Sequence, residues 1–340
     1  MHARLGRQIL AMAALAMGAA ALFATATAQA QQFTMKISSP TVADATAEWA
    51  KVFKAGVEAR SKGKIKVEYY PGSQLGQIPA TVDGVAMGTI EMSIPAVGFL
   101  IGLEPRFQVF DAPGLFDSMV HGEKVLGDPD IRKRFADLGA GKGIEPLTIF
   151  INGPQMIVSH KAIHGPADFR DQKIRVPGAA PMYVEPFRKL GASPLSIPLG
   201  EVLPALQNHT IDGAVAAIAV LTAFKYYDIA KPMTYLPGTF LVAAGIVNRA
   251  WMKSLGPELE AIVREESIKA ESVYSNWGVD DAKRAADTWQ QKGGQVITMA
   301  PDQAKQYLAD VTSVMPPILA ANPQVKADHD ALVAAARKYR

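Results

Sequence analysis

Residues Phe33-Thr34-Met35-Lys36-Ile37 alternate apolar and polar side chains with the period of a strand. Asp44 is then placed to cap a helix in which Trp49, Val52, Phe53 and Val57 recur at i, i+3, i+4 and i+8. Ile65, Val67 and Tyr69 alternate again, and Pro71-Gly72 ends that run. Strand, helix and strand within about forty residues form the unit of a parallel sheet. Further strands are predicted over 90–94, 147–151, 173–176, 211–216 and 240–247, with helical stretches between most of them, so the class is α/β. From Pro257 to Gln291 a charged, alanine-containing pattern predicts one helix of unusual length, with Ile262, Ile268, Val273, Trp277 and Ala282 among its apolar positions. Helices over 301–320 and 328–340 finish the chain.

One segment is echoed. Residues 80–91, ATVDGVAMGTIE, can be laid on residues 201–212, EVLPALQNHTID. Val82 then meets Leu203, Val85 meets Leu206, and Thr-Ile-acid closes both. Each copy reads as an amphipathic turn of helix, a tight break and the start of a strand. Two lobes of similar plan would produce this echo, and the long late helix would run across both as a spine. The expected division is lobe I at 33–153 plus 241–280 and lobe II at 154–240 plus 281–340.

Composition narrows the setting. Arg4 and Arg7 precede an apolar, Ala-rich run from Ile9 to Thr27, and Ala28-Gln29-Ala30 has the A-x-A form of a cleavage site, so residues 1–30 read as a secretory signal peptide. That run is short for a membrane span. The chain has no cysteine, which excludes a lipid anchor on cysteine and any disulfide framework. Its 35 basic residues face 32 acidic ones, and two of the basic ones lie in the leader, so the exported remainder is almost neutral. That balance offers nucleic acid and anionic membranes no footprint.

Chemistry-bearing motifs are sparse. There is no G-x-S-x-G, no S-x-x-K and no cysteine nucleophile. His160 and His164 stand four apart, but Gly165-Pro166 follows at once and a loop is the better reading than a zinc site. Gly139-Ala140-Gly141-Lys142-Gly143 lacks the Lys-Ser/Thr end of a phosphate-binding loop and reads as a helix end leading to the 147–151 strand. No cofactor and no metal are implied. What remains is Lys173-Ile174-Arg175-Val176-Pro177-Gly178, a β-branched run with an arginine at its centre, broken by Pro-Gly. Arg175 therefore falls near the carboxyl end of a strand, where open α/β sheets hold their ligands. By itself that position reads first as a surface salt bridge.

The stretches EYYPGSQLGQ, FQVFDAPGLF, ADFRDQKIRVPGAAPMYVEPFRKLGASPLSIPLGEVLPALQNHTIDGAV and VNRAWMKSLGPE resemble the solute-binding subunit of TRAP (tripartite ATP-independent periplasmic) transporters, over nearly the whole exported chain. The resemblance rests most on Lys173, Arg175, Pro177, Gly178, Leu190, Gly191, Glu201, Ala205, Leu206, Gln207, Asp212 and Gly213. It implies a two-lobed periplasmic-binding-protein fold with the ligand in the cleft between lobes. It also implies a monomer that works with a small and a large integral membrane subunit. Arg175 would receive the ligand carboxylate as a bidentate pair, a role suited to a planar fork that stays charged. Glu201 and Asp212 read better as supports of helices and hinge. The chain departs from the family pattern where Gln155, Leu199, Ala216 and Gln77 stand in place of charged, aromatic or polar groups. With Tyr183 and Phe240 as further wall, those departures describe a pocket for one carboxylate on an apolar or aromatic body. An exported hydrolase or isomerase, and a receptor feeding a signalling system, are the rival readings.

Overall fold

The structure, a computed structural model, describes residues 33–340; the leader expected over 1–30 lies outside the described residues. Nine strands form one connected sheet: β1 (Phe33–Ser38), β2 (Ile65–Tyr70), β3 (Met92–Ser93), β4 (Ile144–Ser159), β5 (Lys173–Val176), β6 (Ser193–Ser196), β7 (Gly213–Ala217), β8 (Pro232–Asn248) and β9 (Gln295–Ile297). Their order is β2-β1-β3-β8-β4-β7-β5-β6, with β9 added on β8. Parallel trios β2-β1-β3 and β6-β5-β7 occupy the two ends. The long antiparallel pair β4 and β8 runs through both halves and joins them. Apolar side chains divide among three clusters. One gathers Met35, Trp49, Phe53 and Val263, another gathers Phe169, Ile174, Phe187 and Tyr307, and the largest lies along the middle of the molecule.

The β4–β8 ladder breaks register at three places, once near the start of β4, between Pro146 and Thr148, and twice in the centre. Gly153 pairs with Leu241 and Pro154 with Phe240, but Met156 pairs with Tyr235, so residues 236–239 bulge out of β8. Asn152 likewise has no rung partner, because the register shifts between Ile151 and Gly153. Pro154 cannot donate to a ladder and Gly238 has φ 66°, so this segment is built to leave strand geometry.

The helix from Asp44 forms as the pattern predicts. It spans Ala45–Arg60, and the Asp44 carboxylate accepts from the backbone N–H groups of Thr46 and Ala47. Trp49 stacks on Phe53 and donates from its indole to the Ser267 carbonyl at 3.3 Å. The single long helix expected over 257–291 is instead two, Gly256–Ala270 and Ser272–Gln291, meeting at Glu271. Glu271 keeps a helical backbone, and its carboxylate is drawn into a bidentate pair with Arg132, with the Thr148 hydroxyl as a third donor. The spine still touches both halves. Its first helix packs on Ala45–Arg60, and the second packs on the Ile218–Ala223 helix and β9. Strands β6 and β9 have no counterpart in the pattern reading: Ser193–Ser196 is exposed and polar, and β9 has three residues.

The echoed segments are the same structural unit twice. Helices Ile78–Met87 and Leu199–Gln207 both end on a left-handed residue, Gly88 at φ 82° and His209 at φ 54°. The Thr89 amide donates to the Gly84 carbonyl at 2.9 Å, and the Thr210 amide donates to the Ala205 carbonyl at 2.9 Å. The closing acids also match. Glu91 accepts from the Lys36 amide of β1, and Asp212 accepts from the Lys173 amide of β5. Gly88→Ala should lower stability by about 1–2 kcal/mol, the cost of a left-handed backbone with a Cβ. The added methyl would also lie 3.3 Å from the Asn248 amide that caps Val85. Equilibrium denaturation tests this, and an unchanged midpoint would show that the turn relaxes without cost.

Candidate ligand site

A cavity of about 40 Å³ lies where the carboxyl ends of the parallel strands from both halves meet. From the first half come Pro40 and Thr41 after β1, Thr46 and Ile78 at the starts of two helices, and Ile94, Ala96 and Phe99 after β3. From the second come Arg175 and Pro177 on and after β5, Leu199 at a helix start, Ala216 on β7 and Val220. Asn152 of β4 and Leu241 and Ala243 of β8 form the floor where the two halves join. Most of this wall is apolar; Thr41, Thr46, Asn152 and Arg175 are its polar members.

Arg175 is 2 % exposed. Its Nε donates to the Ile197 carbonyl at 2.9 Å and its Nη1 to the Val215 carbonyl at 2.8 Å. Two neutral carbonyls fix the plane of the fork but do not cancel its charge. Among the described residues no carboxylate lies within ion-pair distance of it, and Nη2 makes no hydrogen bond to the protein. Burial without a counter-charge pushes its pKa down to about 10, which still leaves it protonated at neutral pH.

The opposite wall is organised by Asp44. Its carboxylate is buried and accepts from Thr46 N at 3.0 Å, Ala47 N at 3.3 Å, the Thr41 hydroxyl at 3.0 Å and Asn152 Nδ2 at 2.9 Å. Burial raises its pKa, and these four donors oppose that rise.

Arg175, Pro177, Leu199 and Ala216 thus share the cavity wall. Gly178 lies just outside it, with φ 117°, pressed on the backbone of Gly98 so closely that a Cβ would sit 2.4 Å from the Gly98 carbonyl carbon. Gln77, just before the Ile78–Met87 helix, is not part of the wall: its amide packs against Gly200, where a Cβ would approach Nε2 to 2.6 Å. Gln155 and Tyr183 lie on a second, smaller cavity with Asp111, Thr239 and Tyr307. The Gln155 amide there donates to the Phe240 carbonyl at 3.0 Å. Phe240 itself turns its ring edge to Phe116 and lines neither cavity.

Sequence reasoning passed over Asn152 and Asp111. Asn152 directly follows the apolar run Ile149-Phe150-Ile151 and precedes Gly153-Pro154, which is a usable signal. Asp111 gives none, since an aspartate before Ala-Pro-Gly reads as a turn. It is buried, neither carboxylate oxygen has a hydrogen-bond partner, and burial holds its pKa well above the ordinary range.

Two α/β halves are joined by crossing strands, and a buried cationic fork lines the cavity between them. The chain matches the family described as bacterial extracellular solute-binding protein, family 7, over residues 38–321, and it belongs to that family. It is 28 % identical over 250 residues to the 2,3-diketo-L-gulonate-binding periplasmic protein YiaO of Escherichia coli, covering 73 % of this chain and 76 % of that one. The fold is shared with a TRAP periplasmic solute-binding protein from Desulfovibrio salexigens with bound orotic acid. The TM-score there is 0.85 at 21 % identity, over 90 % of this chain and 99 % of that one. It is shared as well with one from Shewanella oneidensis with bound succinate, at TM-score 0.82 and 23 % identity, over 89 % and 99 %. The resemblance to TRAP solute-binding subunits and the two-lobed α/β fold are therefore as the sequence implies.

Gly178→Ala should hold the halves apart, because the new methyl meets backbone and the left-handed φ disfavours any side chain. Solution scattering should report a larger radius of gyration under saturating acid than for wild type; equal radii would show that the Gly98 contact does not limit closure. Asp111 carries a pH dependence. The folded form keeps its proton through an interval in which the unfolded chain has released it. Stability from this neutral group is full below the ordinary carboxylate range and is lost as pH rises through the raised value. Asp111→Asn should melt higher than wild type at pH 7 and lose that advantage near pH 4; parallel melting curves for the two proteins across this range would refute it.

Proposed function

We propose that this chain is a periplasmic receptor that captures an organic acid through Arg175 and delivers it to the small and large membrane subunits of a TRAP transporter. The observation that carries the reading is the charge of Arg175, buried in a cavity wall with no carboxylate beside it. A guanidinium desolvated in this way is costly unless an anion completes it. A ligand carboxylate supplies that anion in a geometry that a lysine could not match. The relatives support the class of solute, since diketogulonate, orotate and succinate are all carboxylates.

The rest of the wall favours one carboxylate on an apolar body. Ile78, Ile94, Phe99, Leu199, Val220 and Leu241 surround the site, and Arg175 is its only cation among the described residues. A cavity of about 40 Å³ has room for roughly three water-sized groups, so any larger acid is bound with the halves less tightly closed. The lobe boundary we infer is at 153/154 and 240/241, with the irregular rungs of β4 and β8 as the hinge. Closure around ligand is then a hinge motion in which the bound acid stabilises the closed form through both lobes. Binding is the whole of the chemistry, without an enzymatic step, in a monomer.

Arg175→Ala should weaken binding by about a hundredfold or more, because a charge-assisted bond of about 1.5–3 kcal/mol is lost and the ligand anion is left buried without a partner. Arg175→Lys should not restore it. Calorimetry against a panel of aromatic, branched and dicarboxylic acids tests both points. Wild type at about 100 times Kd should gain about 2.7 kcal/mol of stability, which the alanine variant lacks. An alanine variant that binds within a few-fold of wild type would remove Arg175 from the ligand site.

A further inference from the structure

The polar groups of the cavity are sorted by type. Arg175 can only donate. The wall across from it is built so that it can only accept. Asp44 sits among donors: two backbone N–H groups and the Thr41 hydroxyl point at its carboxylate. The Asn152 side chain meets that carboxylate at 2.9 Å, which fixes its orientation, because the reverse rotamer would set an amide oxygen against a carboxylate oxygen. Nδ2 therefore faces Asp44, and the Oδ1 atom of Asn152 is left buried without a donor from the protein. The residue is 6 % exposed and lines the cavity. The Thr46 hydroxyl is turned the same way, towards Asp44 Oδ2 at 3.4 Å. Asn152 also stands at the irregular rung between Ile151 and Gly153, the kind of bulge that re-aims a side chain beside a binding site.

From this juxtaposition we infer that Asn152 is a specificity-determining residue, whose Oδ1 selects organic acids that carry an O–H or N–H donor in addition to the carboxylate held by Arg175. The inference rests on the carboxylate reading and refines it: the solute is a hydroxy or imino acid with an otherwise apolar frame. A simple fatty or aryl acid would leave Oδ1 unpaired in the closed cleft, and an unmatched buried acceptor discriminates strongly against the ligand that lacks the donor.

Matched acids test this on the full chain by calorimetry: lactate against propionate, mandelate against phenylacetate, 4-hydroxyphenylacetate against phenylacetate, and proline against cyclopentanecarboxylate. Wild type should prefer the donor-bearing member of at least one pair by about tenfold or more. Asn152→Leu should bring that ratio close to one, and Asn152→Ala should do the same if the leucine variant does not fold. Equal binding of both members in every pair that wild type binds would overturn the role of Asn152 and leave the Arg175 carboxylate site standing. A preference that survives both substitutions would overturn it too. Binding of these acids that is indifferent to Arg175→Ala would instead overturn the carboxylate reading, and this inference with it.

Discussion

The guanidinium of Arg175 is held by the Ile197 and Val215 carbonyls and by nothing charged. Most of the site follows from that arrangement. Two carbonyls from neighbouring segments of one half orient the fork before any solute arrives, which lowers the entropy lost on binding. Under the proposed function, closing the other half over it removes water from a charge, and that step is unfavourable unless an anion travels with it. An empty receptor is thereby discouraged from staying shut, and a loaded one is rewarded for closing. In that proposal the same side chain serves recognition and the coupling of recognition to shape.

The mechanical counterpart is the pair β4 and β8. A molecule whose two halves shared no strand would need flexible linkers, and one with a regular ladder throughout would not bend. Here the rungs break once between Pro146 and Thr148 and twice more near Gly153, Pro154 and residues 236–239. Bending can be absorbed where few ladder bonds are lost. Gly98 and Gly178 meet backbone to backbone at the seam, so closure stops on a contact that no larger residue at 178 could make.

Much of this was legible in the chain. Period-2 runs and the Asp44 cap give β1, the first helix and β2, because local alternation and capping need no tertiary information. Arg175 stood out because a cation inside a β-branched run is costly wherever it is buried. Other features depend on distant partners and leave no local trace. The break at Glu271 comes from Arg132 and Thr148, both more than a hundred residues away. Gln155 stands opposite the 236–239 bulge, paired with Ala217 on its other side, and lines the smaller cavity beside Asp111 rather than the one with Arg175. Tyr183, on the first turn after Pro181, is carried to the same place.

The duplicated unit explains why the charge sits on one side only. Lys36-Ile37-Ser38 of β1 and Lys173-Ile174-Arg175 of β5 occupy equivalent positions: Ile37 pairs with Met92 as Ile174 pairs with Gly213, and both lysine amides donate to the acid that closes the echoed segment. Where the second copy carries Arg175, the first carries Ser38. A second arginine there would have faced the first across a closed, low-dielectric cleft, where like charges repel strongly. With serine at that position, the first half offers Thr41 and Thr46, and Asn152 stands at the floor between the halves, all three tied to Asp44 behind the wall. Two halves of one plan thus become complementary instead of alike, and the solute we propose carries one group for each.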